Sequence, residues 1–146
     1  MHILFIDDMP DFKVKSAIYY LEAKKIKFSY TICKSINSAL RYFAKHISEI
    51  DLIVVDFGLP QFDGDKSYID QYGGLDVIDE IVLHKEVIDI PIIINSTTKV
   101  EPNDGSTEKE YFSFYAPAII EHVDKLDGKW LLEFLKSHFK EKIELL

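Results

Sequence analysis

Cysteine is almost missing from this chain: Cys33 is the only one in 146 residues. That excludes a disulfide framework and a cluster of thiolate metal ligands, and Cys33, which follows "SYTI", reads as a buried and unreactive thiol. Positive charge is also scarce. Lys and Arg total 17 against 25 Asp and Glu, a net charge of −8, so no basic surface is expected to neutralise nucleic-acid phosphates. The short basic cluster in "EAKKIK" is balanced by acids elsewhere and reads as a solvated helix end. No apolar run approaches the roughly 20 residues of a membrane span, and "MHILFIDD" lacks the basic lead of a signal peptide. A cytoplasmic protein with no membrane partner is expected. Repeats, low-complexity segments and Pro/Gly/Ser-rich linkers are absent too, which leaves a single domain over 1–146 with no output domain.

What the chain does have is a 47% hydrophobic content divided into short apolar runs that alternate with segments of helical period. "ILFI" (3–6) predicts a first strand. A helix over about residues 10–24 follows, with Pro10 in its first turn and Val14, Ala17, Ile18 and Leu21 on one face. "FSYTI" (28–32) predicts a second strand and Ser35 the cap of a second helix, striped by Ile36, Ala39, Leu40, Phe43, Ala44 and Ile47. "LIVV" (52–55) is the third strand, and Leu75, Val77, Ile78, Ile81 and Val82 mark a third helix. "PIIIN" (91–95) is the fourth strand, with Pro91 at its start. A short helix begins at Ser106 or Thr107, "AIIEHV" (118–123) is a fifth strand, and Asp127 caps a last helix that turns Trp130, Leu131, Phe134, Leu135 and Phe139 inward. Continuous apolar strands, each followed by a helix, predict an α/β fold: a doubly wound, five-stranded parallel sheet with helices on both faces, flavodoxin-like.

In such sheets ligands bind beyond the C-terminal strand ends. The first strand ends in Asp7 and Asp8, and the third in Asp56. If those strands are neighbours, three carboxylates share one small volume, and two charges ~4 Å apart repel by several kcal/mol at an effective dielectric of about 20. Capping of the first helix accounts for one acid but not for three. A divalent cation relieves the repulsion, and oxygen donors without histidine favour Mg²⁺ over Zn²⁺. The fourth strand delivers the hydroxyls of Ser96, Thr97 and Thr98 to the same edge, and the fifth leads to Lys125.

"ILFIDD", "LIVVDFGLP", "GGLDVI", "IPIIINST" and "HVDKL", in this order, resemble the receiver domain of two-component response regulators over nearly the whole chain. The resemblance implies that Asp56 is the phosphoacceptor, a carboxylate nucleophile that becomes an aspartyl-phosphate. It implies Mg²⁺ held by Asp7, Asp8, Asp56 and the backbone carbonyl of Gly58, with Asp8 a direct ligand and Asp7 acting through water. Ser96 matches the hydroxyl that contacts the phosphoryl group and Lys125 the lysine that pairs with it. The implied partners are a histidine kinase or phosphotransfer protein as donor and a separate effector protein. Similar proteins also form phosphorylation-linked homodimers through the last helix and fifth strand. The implied role is signalling rather than turnover, so the chain is not expected to be an ordinary enzyme.

Departures from the pattern are equally specific. Leu126 follows Lys125 where the family usually has proline, and His122 stands where an aromatic is common, read as a solvated strand-end histidine as readily as a switch. Thr97 is larger than the residue usual there and is expected to restrict access. "QFDGDKSYIDQYG" (61–73) lengthens the connection before Gly74, and its "DGD" lacks the remaining spacing of a calcium loop. It reads as a loop or short hairpin beside the site that covers it or contacts a partner. Two alternatives accompany the main reading: a diverged receiver acting as a phosphorylation-independent interaction module, and an aspartate-nucleophile phosphohydrolase. The latter needs a second acid two residues after its nucleophile, where Asp7 and Asp8 are followed instead by Met9 and Pro10.

Overall fold

The computed structural model describes residues 1–65, 67–83, 89–115, 119–124 and 126–146. Among them the elements run β1 (His2–Ile6), α1 (Lys13–Ala23), β2 (Ser29–Cys33), α2 (Ile36–His46), a 3₁₀ turn (Ile47–Glu49), β3 (Leu52–Val55), α3 (Gly73–Val82), β4 (Ile92–Asn95), α4 (Glu108–Ser113), β5 (Ile120–Val123) and α5 (Gly128–His138). All strand pairings are parallel, and the order β2-β1-β3-β4-β5 makes one doubly wound, flavodoxin-like sheet.

The apolar runs are continuous because both faces of the sheet are covered. Alternate side chains divide between the two faces. Leu4, Ile6, Ile53, Val55, Ile92 and Ile94 pack towards α2, α3 and Phe112 of α4. Ile3, Phe5, Leu52, Val54 and Ile93 pack towards α1 and α5. No helix among the described residues is long and apolar enough to cross a membrane.

Several local expectations shift. Helix α1 starts at Lys13 rather than at Pro10 and has no side-chain cap. In the turn before it the Asp7 carboxylate accepts the Met9 N–H at 2.8 Å. β2 lies one residue later than expected, ending on Cys33, whose thiol burial pushes up to about 11. Ala44 is exposed, since the buried face of α2 is centred on Ile36, Ala39 and Phe43 and position 44 lies about 100° away from it; on the opposite flank the Tyr42 hydroxyl bonds to His2 and Thr31. Ser35 caps α2 in a reciprocal pair with Ser38, Thr107 caps α4, and Asp127 caps α5. β5 begins at Ile120, and Ala118 lies outside the described residues.

Candidate functional site

Register brings the acids together. Ile6 is paired with Val55 across β1 and β3, so Asp7 and Asp56 leave the sheet side by side. The ladder continues past them: the Asp7 N–H donates to the Cys33 carbonyl at 2.9 Å and the Asp56 N–H to the Ile6 carbonyl at 2.9 Å. Carboxylate oxygens of Asp7, Asp8 and Asp56 lie within 4.8 Å of one another. Asp7 is buried, while Asp8 and Asp56 are half-buried.

The three carboxylates are costly to ionise together. Burial, then the neighbouring Asp7 charge, pushes Asp56 up to about 6, although the Phe57 N–H and the positive charge of Lys13 partly offset both. Burial also raises Asp7 and Asp8. This is the electrostatic strain that a divalent cation removes, and an all-oxygen donor set suits a hard ion such as Mg²⁺.

The β3–α3 turn holds Asp56 from below. A Cβ on Gly74 would sit 2.2 Å from the Asp56 carbonyl oxygen, so α3 starts against that backbone only because Gly74 lacks a side chain. The Gly74 N–H donates to the Phe57 carbonyl at 2.9 Å. Gly58 lies in the same turn with looser surroundings, the nearest atom to an added Cβ being Ile69 Cγ2 at 3.7 Å.

The pairing of Val55 with Ile94 sets the end of β4 beside Asp56. Ser96 follows there, buried, with Oγ accepting the Thr98 N–H at 3.1 Å, and Thr97 is exposed. Lys125 lies outside the described residues. The residue after it, Leu126, is buried, and its N–H donates to Asn95 Oδ1 at 2.9 Å. A proline would need no such acceptor; Leu126 brings an N–H, and a buried asparagine meets it.

His122 is no solvated strand end. Its side chain is only 8% exposed, and the ring meets Phe57 edge-on with centroids 5.5 Å apart. Nε2 lies 2.6 Å from the Ser96 carbonyl oxygen, and Nδ1 lies 2.6 Å from Oε1 of Glu108 on α4.

The 61–73 connection closes on itself through paired backbone bonds between Leu59 and Asp70, at 3.0 and 3.1 Å. Its first carbonyls, Pro60 and Gln61, accept the Ile36 and Asn37 N–H groups of α2, each at 3.0 Å. Asp63 accepts the Ser35 hydroxyl, Asp65 is engaged by Ser67, and Asp70 accepts the Tyr72 N–H. Asp65 and Asp70 thus serve their own turns, and Asp63 ties the loop to the cap of α2. The loop stands as one wall of an open cleft of about 770 Å³ whose lining includes Asp8, Met9, Pro60 and Ile69.

Sequence reasoning missed Gly74 as the support of Asp56, and it missed Asn95 and Glu108. Gly74 left a signal in "GG" at a helix start. Asn95 left one as a polar residue ending an apolar run.

Protein-family models and curated proteins return no match to the chain. Solved structures do. The Mn²⁺-bound form of response regulator Rcp1 superposes with a TM-score of 0.65 at 16% identity, covering 99% of this chain and 98% of that one. The non-phosphorylated HemR receiver domain from Leptospira biflexa gives 0.61 at 17%, covering 94% of each. The phosphorylated cyanobacterial phytochrome response regulator RcpA gives 0.60 at 17%, covering 93% and 89%. The chain has the receiver-domain fold.

Proposed function

We propose that this chain is a response regulator receiver that accepts a phosphoryl group on Asp56 with a divalent cation, Mg²⁺, and signals through protein contacts. The observation that carries this reading is the convergence of Asp7, Asp8 and Asp56 from two adjacent strand ends. Asp7, Asp8, Asp56 and the Gly58 carbonyl would hold the metal. When bound, the ion neutralises charge on the phosphoryl oxygens.

At neutral pH Asp56 is ionised even with its value near 6. One carboxylate oxygen forms a bond to phosphorus as the P–N bond of a phosphohistidine breaks, the electron pair leaving with the imidazole nitrogen. Ser96 donates its hydroxyl hydrogen to a phosphoryl oxygen, its Oγ already accepting from Thr98, and Lys125 pairs with the new charge of about −1.5 to −2. The donor is a histidine kinase or phosphotransfer protein, the effector a separate protein, and the compartment the cytoplasm.

Incubation with Mg²⁺ and a small phosphodonor, followed by intact mass measurement, tests this. One phosphoryl adduct is expected on the wild type and none on Asp56→Asn. An unmodified wild type, or an undiminished adduct on the variant, overturns it. A second reading, an interaction module that works without phosphorylation, draws on Leu126 and its Asn95 acceptor in place of the usual proline. It predicts no binding of Mg²⁺ or of a beryllofluoride phosphate mimic.

A further inference from the structure

We propose that Glu108 is a positioning residue, which with His122 forms a latch that holds the Ser96 turn in place and ties it to α4. This rests in part on the reading of Ser96 as a phosphoryl contact. The side chains of His122 and Glu108 are 8% and 21% exposed. Three segments that no local sequence pattern connects meet at one imidazole: β5 supplies the ring, α4 the carboxylate and the end of β4 the Ser96 carbonyl.

The hydrogens of this contact can be assigned from its chemistry. A carbonyl oxygen only accepts, so Nε2 carries a hydrogen towards Ser96. Nδ1 then faces a carboxylate oxygen at 2.6 Å, a distance that requires a second hydrogen between them rather than two opposed lone pairs. The other Glu108 oxygen, Oε2, accepts the Val100 N–H at 2.7 Å, so both oxygens of the side chain are engaged. One hydrogen therefore lies between Nδ1 and Oε1, and the short contact ties the ring firmly to the side chain of Glu108. Phe57 closes the remaining side of the ring.

The latch acts on the proposed site through Ser96. It fixes the Ser96 carbonyl, while the Thr98 N–H fixes the Ser96 Oγ. The hydroxyl hydrogen is thereby left to point outward to a phosphoryl oxygen. Glu108 itself touches no reacting atom. It also bridges Val100 and α4, so any rearrangement at Ser96 is felt at α4, and coupling between two sites is reciprocal in free energy. If the latch strengthens binding of a phosphoryl group, that group strengthens the latch by the same factor.

Beryllofluoride with Mg²⁺ serves as the probe, read by binding titration and by amide hydrogen exchange. In the wild type, its binding is expected to slow exchange over residues 108–113. In Glu108→Ala, beryllofluoride should bind 5- to 10-fold more weakly, Mg²⁺ alone should bind as in the wild type, and α4 should stop responding. Glu108→Gln keeps the length and can donate to Nδ1 of a neutral imidazole, so it should restore the wild-type response; a side chain serving only as filler would not need that hydrogen. Beryllofluoride affinity and α4 response unchanged in Glu108→Ala overturn the proposal, as does a fall in Mg²⁺ affinity of the same size, which marks general damage. If the wild type takes no beryllofluoride, the phosphoacceptor reading fails and the latch is judged by exchange alone. The Thr98 and Val100 amides must then exchange faster in Glu108→Ala but not in Glu108→Gln, and an unchanged Thr98 amide overturns the latch.

Discussion

Asp56 is held in conflict with its own charge. Its folded value, pushed up to about 6 from an ordinary 3.8, means that the folded state binds this proton more tightly than the unfolded chain. Ionisation therefore opposes folding: stability is fully present below about pH 4 and falls as pH rises through about 6. At about 1.4 kcal/mol per unit the loss is up to about 3 kcal/mol. Asp56→Asn carries no charge and is expected to exceed the wild type in urea-unfolding stability at pH 7.5 by up to that amount. The two proteins should converge near pH 4. A variant no more stable than wild type at pH 7.5 contradicts the strain described for the cluster.

At the scale of elements, the β3–α3 turn is where a helix start and the strand end that carries Asp56 compete for space. Gly74 resolves the competition by having no Cβ, whereas Gly58, two residues from Asp56, has ordinary room around it. Gly74→Ala is expected to cost about 1–3 kcal/mol or more, because the clash is with backbone and one of the two elements must shift. Gly58→Ala should stay within about 0.5 kcal/mol. Chemical denaturation of both variants checks the contrast, and equal losses would mean that the close approach of α3 to Asp56 is not what the glycine permits. The helix expected from Pro10 onward starts only at Lys13. A residue suited to a helix start lies inside the turn that precedes α1, where the Asp7 side chain accepts the Met9 N–H.

For the molecule as a whole, three carboxylates at one sheet edge make stability depend on what is bound there. A ligand that binds only the folded state stabilises it by about 2.7 kcal/mol at a hundred times its Kd. For a domain of this size that amounts to a rise in Tm of roughly 10 °C. Saturating Mg²⁺ is expected to produce such a rise at pH 7.5 and Asp8→Asn to remove most of it, as followed by thermal unfolding. A wild type indifferent to Mg²⁺ would leave the acids without the counter-ion argued for them. The loop at 61–73 fits this picture as a wall of the cleft. Its acids are engaged within its own turns and with Ser35.

The alternation of strands and helices was legible in the chain because it is recorded locally: apolar runs for strands covered on both faces, and a 3.6-residue period for helices with one buried face. The placement of Asp7, Asp8 and Asp56 at strand ends was legible for the same reason, while their convergence depended on β1 and β3 being neighbours, which the folded sheet supplies. The exposure of Ala44 and the start of α1 at Lys13 were not legible, since an alanine near the margin of an apolar stripe and a proline in a turn fit either outcome locally. Nor were the contacts around the site, which join Asn95 to Leu126 across 31 positions, Glu108 to His122 across 14, and Gly74 to the backbone of Asp56. Sequence alone determined which residues carry charge and on which elements they ride. Only the tertiary structure decided which groups share a proton, an N–H or a missing Cβ, because those are properties of pairs that meet after folding.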